Sequence, residues 1–391
     1  MSYSFQETPE QTLLCESAEK FAKKHIDPVA ADLFKAGKFS VELARRMGKE
    51  GYLGIMAPPR WGGMGLSYTS YIKIVEIISG HDGSCGALVA AHNSLGVYPV
   101  LKYGSASLKK NHLRNICSGE YTVGFAQTEP NAGTNVKNIT TRAEYDPVTG
   151  EWNANGGKHF ITNVSSAMAY GLILLAVTGS NEGVKEFTAF FVPIGTPGLI
   201  IRPMPHKGAW PSSDTGEVFF ENVRIPDENK LGKRGQGLRV MLDTLDGGRK
   251  SVAAMGSGIA KSALRLALAY AKQRIGPDKP IAELPEIYGK LAEMSMRINA
   301  AELLLYKACW LAERGKPCKQ EAAEAKLLCS QLAEFCTREG KHIFGAVGIM
   351  PDFLIWRLFC DTQVLPVGEG TDEVQKLVIA RCLGCFDRDR S

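Results

Sequence analysis

Ser118-Gly-Glu-Tyr-Thr-Val-Gly-Phe-Ala-Gln-Thr-Glu-Pro-Asn-Ala-Gly-Thr134 is where the chain changes character. Upstream of Gly119 the pattern is helical. Residues 9–26 run to Asp27-Pro28, a natural helix stop, and residues 40–50 form the next helical stretch. The Pro/Gly-rich loop Ala57-Pro-Pro-Arg-Trp-Gly-Gly-Met-Gly65 follows, and residues 68–79, 84–103 and 107–117 again fit helices. Downstream of Gly119, β-branched and aromatic runs at 121–126, 171–177, 186–192, 198–201 and 217–223 read as strands. Asp146-Pro-Val-Thr-Gly150, Asn155-Gly-Gly157 and Gly195-Thr-Pro-Gly198 supply the turns between them. Such spacing predicts an antiparallel sandwich or barrel.

From Gly235 the chain is helical once more. Leu291, Met294, Ile298, Ala301, Leu305, Ala308 and Leu311 step by three or four, with no proline between Glu286 and Lys316. The stripe reads as the core face of a helix bundle, and part of it as a subunit interface. The order is therefore helices, strands, helices: an α+β chain with an N-terminal helical domain (1–120), a middle antiparallel β domain (121–233) and a C-terminal helical domain (234–391). This is not a βαβ alternation, which argues against a doubly wound nucleotide fold. The near-miss Gly256-Ser-Gly-Ile-Ala-Lys261 lacks a third glycine and lies within a helical stretch, not after a strand.

Composition narrows the function. The 391 residues carry 46 Lys and Arg against 41 Asp and Glu, a net charge of only +5. The densest basic groups are Lys23-Lys24, Lys109-Lys110 and the pair Arg388 and Arg390, too sparse for a nucleic-acid face. Ten cysteines without a secretory signal predict reduced thiols, mostly small core residues. Cys382-Leu-Gly-Cys385 has no second Cys/His pair at zinc spacing, and no metal site is expected. No apolar run reads as a membrane span. The N-terminal Met-Ser-Tyr-Ser-Phe is followed at once by Glu7 and Glu10, unlike a transit peptide, and the chain reads as soluble and cytoplasmic.

Three strings have chemical potential. Phe125-Ala-Gln-Thr-Glu-Pro-Asn-Ala-Gly-Thr134 follows a strand and offers backbone N–H groups and two threonine hydroxyls, either as an ordinary turn or as a surface for a polar ring or phosphate. Leu245-Asp-Gly-Gly-Arg249 opens a helix, either as a local Asp–Arg pair or as an arginine fixing part of a site. In Gly368-Glu-Gly-Thr-Asp-Glu-Val-Gln375 a carboxylate lies between two glycines ahead of a helical run, either as a helix-start residue or as a base to which ligands have close access.

These strings, with Lys158-His-Phe-Ile-Thr-Asn163, Ser213-Asp-Thr215, Val218-Phe-Phe-Glu-Asn-Val-Arg-Ile-Pro226, Lys272-Gln-Arg274 and Glu369-Gly-Thr371, resemble the acyl-CoA dehydrogenase family in its order and close to its spacings. The resemblance covers nearly the whole chain. It implies the same helix–β–helix fold, a homotetramer, FAD, an acyl-CoA substrate and an electron-transferring flavoprotein as electron partner. It also implies residue roles. Phe125, Ala126, Gln127 and Thr128, with Phe160, Ile161 and Thr162, would contact the flavin ring. Thr134 would lie near the FAD pyrophosphate and the CoA pantetheine, and Thr371 and Glu373 beside FAD. Arg274 would reach the FAD of a neighbouring subunit. Asp246 and Arg249 would border CoA and the base, and Gly368 and Gly370 the substrate. Glu369 would be the base, removing the α proton as the β hydrogen leaves as hydride to flavin N5. The Glu369 N–H and a ribityl hydroxyl would hold the thioester carbonyl.

The chain departs from the family at several positions. Gly248 stands where some subfamilies carry the base. Ile275-Gly-Pro-Asp278 lacks the usual phenylalanine after the arginine, and Pro285 replaces a common glutamine. His342-Ile-Phe-Gly-Ala346 replaces Gln-x-x-Gly-Gly, so that Phe344 and Gly345 would meet FAD in altered contacts. Asn135 replaces a common aspartate. Gly368 replaces a common tyrosine, which implies a bulky acyl group: branched, alicyclic or aryl. Gly86 lacks the arginine of glutaryl-type enzymes. His92 reads as a packed histidine or as part of that same region. The same fold also serves acyl-CoA oxidases, enoyl-CoA reductases and non-catalytic assembly proteins, and the retained Glu369 weighs against the last.

Overall fold

The computed structural model describes residues 8–386; Met1 to Glu7, Arg388 and Arg390 lie outside the described residues. Eight helices come first: α1 (Pro9–Phe21), α2 (Asp27–Ala36), α3 (Val41–Lys49), α4 (Tyr68–His81), α5 (Gly83–Ala91), α6 (Tyr98–Tyr103), α7 (Ala106–Leu108) and α8 (Arg114–Cys117). Eight strands follow: β1 (Thr122–Ala126), β2 (Arg142–Asp146), β3 (Glu151–Thr162), β4 (Ala169–Asn181), β5 (Val184–Pro193), β6 (Leu199–Pro203), β7 (Thr215–Pro226) and β8 (Lys230–Leu231). Five more helices complete the chain: α9 (Gly237–Gln273), α10 (Pro285–Glu313), α11 (Lys319–Phe344), α12 (Leu354–Asp361) and α13 (Asp372–Cys382).

Local chemistry starts these helices. Thr8 and Gln11 form a reciprocal capping box at α1, with Pro9 in the first turn. Ser40, Ser67, Asp82 and Thr371 accept first-turn N–H groups at α3, α4, α5 and α13. Asp27-Pro28 does not end the helical run. The chain passes through a π-helical turn, Ala22–Ile26, and α2 begins there, because proline lacks only an N–H that the first turn would leave unpaired. A second π-helical turn, His92–Val97, divides the stretch expected as one helix over 84–103.

The sheet runs β6-β7-β3-β2-β4-β5-β8, with β1 beside β4. Most pairs are antiparallel, but β1 runs parallel to β4, and β2 meets β4 in parallel at Arg142 and Val177. The sheet is thus mixed, a correction to the all-antiparallel expectation. Asn155-Gly-Gly157 is not a turn either. It lies inside β3, where the register with β7 slips between Ala154 and Gly156. Gly156 sits at φ +141°, and a Cβ there would come within 2.6 Å of the Thr141 hydroxyl. A glycine-borne bulge explains the turn-like signal.

Helices from both ends of the chain share one core. Ile72, Val75 and Ile78 of α4 pack with Ala253, Ile259 and Ala263 of α9, Leu305 of α10 and Cys329 and Ala333 of α11. The glycines of the near-miss string serve this packing. A Cβ on Gly256 would lie 2.5 Å from the Cys329 carbonyl, and one on Gly258 1.9 Å from that of Glu76. The expected stripe on α10 faces inward, with Leu291, Met294, Ile298, Ala301, Leu305 and Ala308 buried and Leu311 half-buried. By length and composition α9 is apolar enough to cross a bilayer, contrary to the sequence reading. Its apolar window is 67% buried inside the fold, so this hydrophobicity serves packing against α4, α5, α10 and α11.

Candidate active site

The first group of site residues lies on the sheet. The chain leaves β1 through Gln127 and Thr128, and β3 returns beside it: the His159 N–H donates to the Thr128 carbonyl at 2.9 Å. Lys158 locks the two together. Its side chain is fully buried, with Nζ 3.1 Å from the Gln127 carbonyl and 2.9 Å from Glu129 Oε1. Glu129 also accepts from the Thr140 N–H and hydroxyl and from the Thr141 N–H. Burial alone would raise the Glu129 pKa, but the Lys158 ammonium and the threonine donors outweigh it and hold the carboxylate at about 2. Lys158 has fewer partners, so burial wins and brings it down to about 8, still charged at neutral pH.

Between Lys158 and Ile161 the pairing of β3 with β7 slips again. This bulge throws Phe160 outward, 61% exposed and in the left-handed region at φ +59°, while Ile161 is buried and Thr162 half-buried. An exposed aromatic in a left-handed backbone is costly, by roughly 1–3 kcal/mol, and such outliers gather at functional sites. Phe125 and Thr128 are half-buried and Ala126 is buried. Gln127 Oε1 and Asn163 Nδ2 are buried polar atoms with no partner among the described residues. Exposed aromatic, hydroxyls and unpaired polar atoms fit a flat, hydrogen-bonding ring such as that of a flavin. Thr134 is exposed in the following loop.

The second group lies among the helices. Glu369 has φ +53° in the loop before α13, and its neighbour Gly370 has φ +97°. Several ties hold the loop. The Asp372 N–H donates to the Pro366 carbonyl at 3.0 Å. The Ser330 hydroxyl donates to the Leu365 carbonyl at 3.2 Å, and the buried Gln375 amide donates to the Gly370 carbonyl at 2.9 Å. The Glu369 carboxylate points at α9, where Gly248 makes room: a Cβ there would lie 1.6 Å from Glu369 Oε2. That oxygen is enclosed and has no hydrogen-bond partner among the described residues. Burial pushes the Glu369 pKa up from 4.5 to about 7, against the opposing pull of Arg249, Lys326 and Lys250.

Around it, Arg249 is buried and paired with Asp246, its Nε unpartnered. Lys250, also buried, donates to the Asp246 carbonyl at 2.8 Å and lies over the Tyr68 ring. Tyr68 donates to the Gly247 carbonyl at 2.8 Å, and Tyr71 to that of Ala90 at 2.8 Å. Asp246, Arg249, Gly368, Glu369, Gly370 and Thr371 are thus brought together. The π-helical turn His92–Val97 bridges this cluster to β1. His92 accepts the Val123 N–H through Nδ1 at 3.1 Å, and its Nε2 is 2.9 Å from the Ile116 carbonyl. The backbone donor assigns the proton to Nε2, and burial lowers the pKa to about 4, so His92 is the packed, neutral histidine. The Ser94 hydroxyl, in the same turn, lies 3.5 Å from that of Ser251 on α9.

Other expected residues lie elsewhere. Arg274 is exposed just past the end of α9, about 36 Å along that helix from Arg249 at 1.5 Å per residue. Phe344 is in the helical core, stacked on Tyr270 at 4.3 Å, so its ring is taken up by packing. Gly345 follows at φ +65° with open space beside its Cα. Glu373 is exposed in the first turn of α13. Glu129, Tyr68, Tyr71, Lys250, Lys326 and Gln375 received no role in the sequence reading. Glu129, Lys158 and Gln375 belong to the family-like motifs, but nothing local announces that they turn inward.

Known proteins place this architecture. Family models for the acyl-CoA dehydrogenase N-terminal, middle and C-terminal domains match residues 8–120, 124–223 and 235–384. The probable acyl-CoA dehydrogenase YngJ of Bacillus subtilis is 39% identical over 381 residues, 97% of this chain and 99% of that protein. The solved butyryl-CoA dehydrogenase of Megasphaera elsdenii superposes with a TM-score of 0.94 at 34% identity, over 97% of this chain and 100% of that one. A chain from a structure described as the electron transferring flavoprotein of Acidaminococcus fermentans gives the same TM-score and identity, over 97% and 99%. The chain belongs to the acyl-CoA dehydrogenase family, flavoprotein oxidoreductases that act on CH–CH bonds with FAD.

Proposed function

We propose that Glu369 is the base that removes the α proton of an acyl-CoA thioester on its way to the enoyl-CoA. The observation that carries this reading is an enclosed carboxylate oxygen without a partner, set against Gly248 and held near a pKa of 7. A base near neutral pH is matched to a weak carbon acid. Among the described residues the Glu369 N–H has no hydrogen-bond partner, so it is free to donate to the thioester carbonyl and stabilise enolate-like charge. Phe125 to Thr128 and Phe160 to Thr162 would hold the flavin ring of FAD, with Thr134, Gly345, Thr371 and Glu373 further along the cofactor. FAD, when bound, supplies the hydride acceptor. Asp246, Arg249, Gly368 and Gly370 would border the substrate.

The acyl group we propose is bulky and carries no distal carboxylate. Gly368 does not need glycine's backbone freedom, and a Cβ there would meet only Val364, at 3.3 Å. A side chain could therefore stand next to Glu369 at this position, and its absence supports a larger acyl group. Gly86, by contrast, is closed by the Ser79 hydroxyl, 2.0 Å from where a Cβ would lie, which excludes a distal-carboxylate arginine at that position. Arg274, too far along α9 to serve its own Glu369, would act on the FAD of a neighbouring copy in a homotetramer. The likeness to the Acidaminococcus chain supports an electron-transferring flavoprotein as acceptor, and ten free thiols support a reducing, cytoplasmic setting. The domain limits 1–120, 121–233 and 234–391 belong to the same reading. The test is anaerobic titration of the purified protein with a panel of acyl-CoA thioesters while the visible flavin absorption is followed. Bleaching by a branched, alicyclic or aryl thioester is expected. A higher specificity for butyryl-CoA than for every bulky thioester tested would overturn the acyl assignment, and bleaching by none of them the dehydrogenation.

A further inference from the structure

Lys326 is a fully buried lysine in the middle of α11, on the side that meets α13. Its Nζ lies 3.3 Å from Asp372 Oδ1. Asp372 is the first residue of α13, and its N–H closes the base loop onto the Pro366 carbonyl. Its second carboxylate oxygen accepts from the Gln331 amide at 3.3 Å, again from α11. The loop that carries Glu369 in a left-handed backbone is therefore anchored to α11 through a buried ion pair at its far end. The Lys326 ammonium also lies close enough to act electrostatically on Glu369 and on Arg249.

The charged and titratable groups around Glu369 can be named element by element. From α4 come Tyr68 and Tyr71; from α9, Asp246, Arg249 and Lys250; from α11, Lys326; from α13, Asp372. Arg249, which pulls hardest on Glu369, is paired with Asp246 on its own helix, and Lys250 is turned to a carbonyl and the Tyr68 ring. Lys326 differs in that its carboxylate partner, Asp372, is the first residue of the helix into which the Glu369 loop runs.

We propose that Lys326 is a positioning residue for the base: its ion pair with Asp372 anchors the Glu369 loop, and the charge left over favours the ionised carboxylate. This rests on the reading of Glu369 as base. The two substitutions that break the pair then act in opposite directions. Lys326→Met removes a cation, so Glu369 holds its proton to higher pH. Asp372→Asn frees the same cation, so Glu369 loses its proton at lower pH.

The experiment is the pH profile of kcat/KM for wild type, Lys326→Met, Lys326→Arg and Asp372→Asn. Difference infrared titration of the Glu369 carboxyl, with Glu369→Gln as the reference, gives a readout that does not depend on turnover. We expect Lys326→Met to move the acid limb up by about 1 pH unit and Asp372→Asn to move it down by about half a unit, the size that a nearby charge produces. At pH 7 Lys326→Met should lose roughly five- to tenfold in kcat and recover at pH 9, because one unit of pKa is a factor of ten in the ionised fraction. Lys326→Arg keeps the charge and should keep the wild-type profile. Should Lys326→Met fail to fold, Asp372→Asn, with an asparagine at a partly exposed helix start, still decides the matter. An acid limb that stays in place, or that moves the same way in both variants, overturns the proposal. Substantial turnover by Glu369→Gln would instead overturn the assignment of the base itself.

Discussion

Two glutamates, one in the β domain and one among the helices, are drawn out of water and ionise in opposite ways. Glu129 accepts hydrogen bonds from Lys158, from Thr140 twice and from Thr141, and its pKa falls to about 2. Glu369 has an enclosed oxygen with no partner, and its pKa rises to about 7. Burial pushes both upward; the number of donors within reach decides the outcome. The satisfied carboxylate ties two loops into a rigid surface. The unsatisfied one keeps its proton affinity, which the proposed base requires.

Breaking this contrast at Glu369 should have the largest effect. Glu369→Gln keeps the shape and removes the base, so turnover should fall at least ~10³-fold while FAD stays bound. Steady-state assay with flavin absorbance checks both, and retention of more than a few per cent of turnover would contradict the role. At Glu129 the loss is structural. Glu129→Gln takes the counter-ion from the fully buried Lys158, which should cost about 3–5 kcal/mol in urea unfolding. The double variant Glu129→Gln/Lys158→Met should recover part of that. If the single variant unfolds like wild type, the pair is not what holds β1 to β3. A gentler disturbance is Gly248→Ala. Its methyl must displace the Glu369 carboxylate, so kcat should fall by ~100-fold with little change in stability. Wild-type kcat in this variant would mean that the carboxylate rests elsewhere during turnover.

The smallest effect sharpens the comparison through pH. Glu369 titrates near 4.5 when unfolded and near 7 when folded, so the folded state binds the proton more tightly. Its contribution to stability is present below pH 4.5 and is lost as pH rises through 7. Glu369→Gln should therefore be about 3 kcal/mol more stable than wild type at pH 8, and equal to it near pH 4. For Glu129 the sign reverses: its contribution is present above pH 4.5 and disappears as pH falls through about 2. Urea midpoints measured from pH 2 to pH 9 would separate the two. A Glu369→Gln advantage that does not grow with pH would show that desolvation is not what raises this group.

What the sequence determined by itself was the order of segments, and with the family resemblance it singled out Glu369 as the candidate base. Helical stripes such as Leu291 to Ala308 and β-branched runs such as 171–177 are local patterns, and they survive in α10 and β4. Glu369 could be singled out because its string resembles the family's; the left-handed backbone there falls on Glu369 itself and on Gly370, where glycine adopts it without strain. Local patterns also misled where one signal has two structural causes. Asn155-Gly-Gly157 reads as a turn but is a bulge, and Asp27-Pro28 reads as a stop but is a start. Only the tertiary structure decided which charged side chains face inward. Lys158 meets a carboxylate 29 residues away, and Lys326 meets one 46 residues away. A lysine in an amphipathic pattern carries no local mark of such a partner, and its burial is stable only once that partner has been brought to it by the fold. The sharing of one core by the first and last helices has the same origin: apolar faces written far apart become one interior only when the chain has folded.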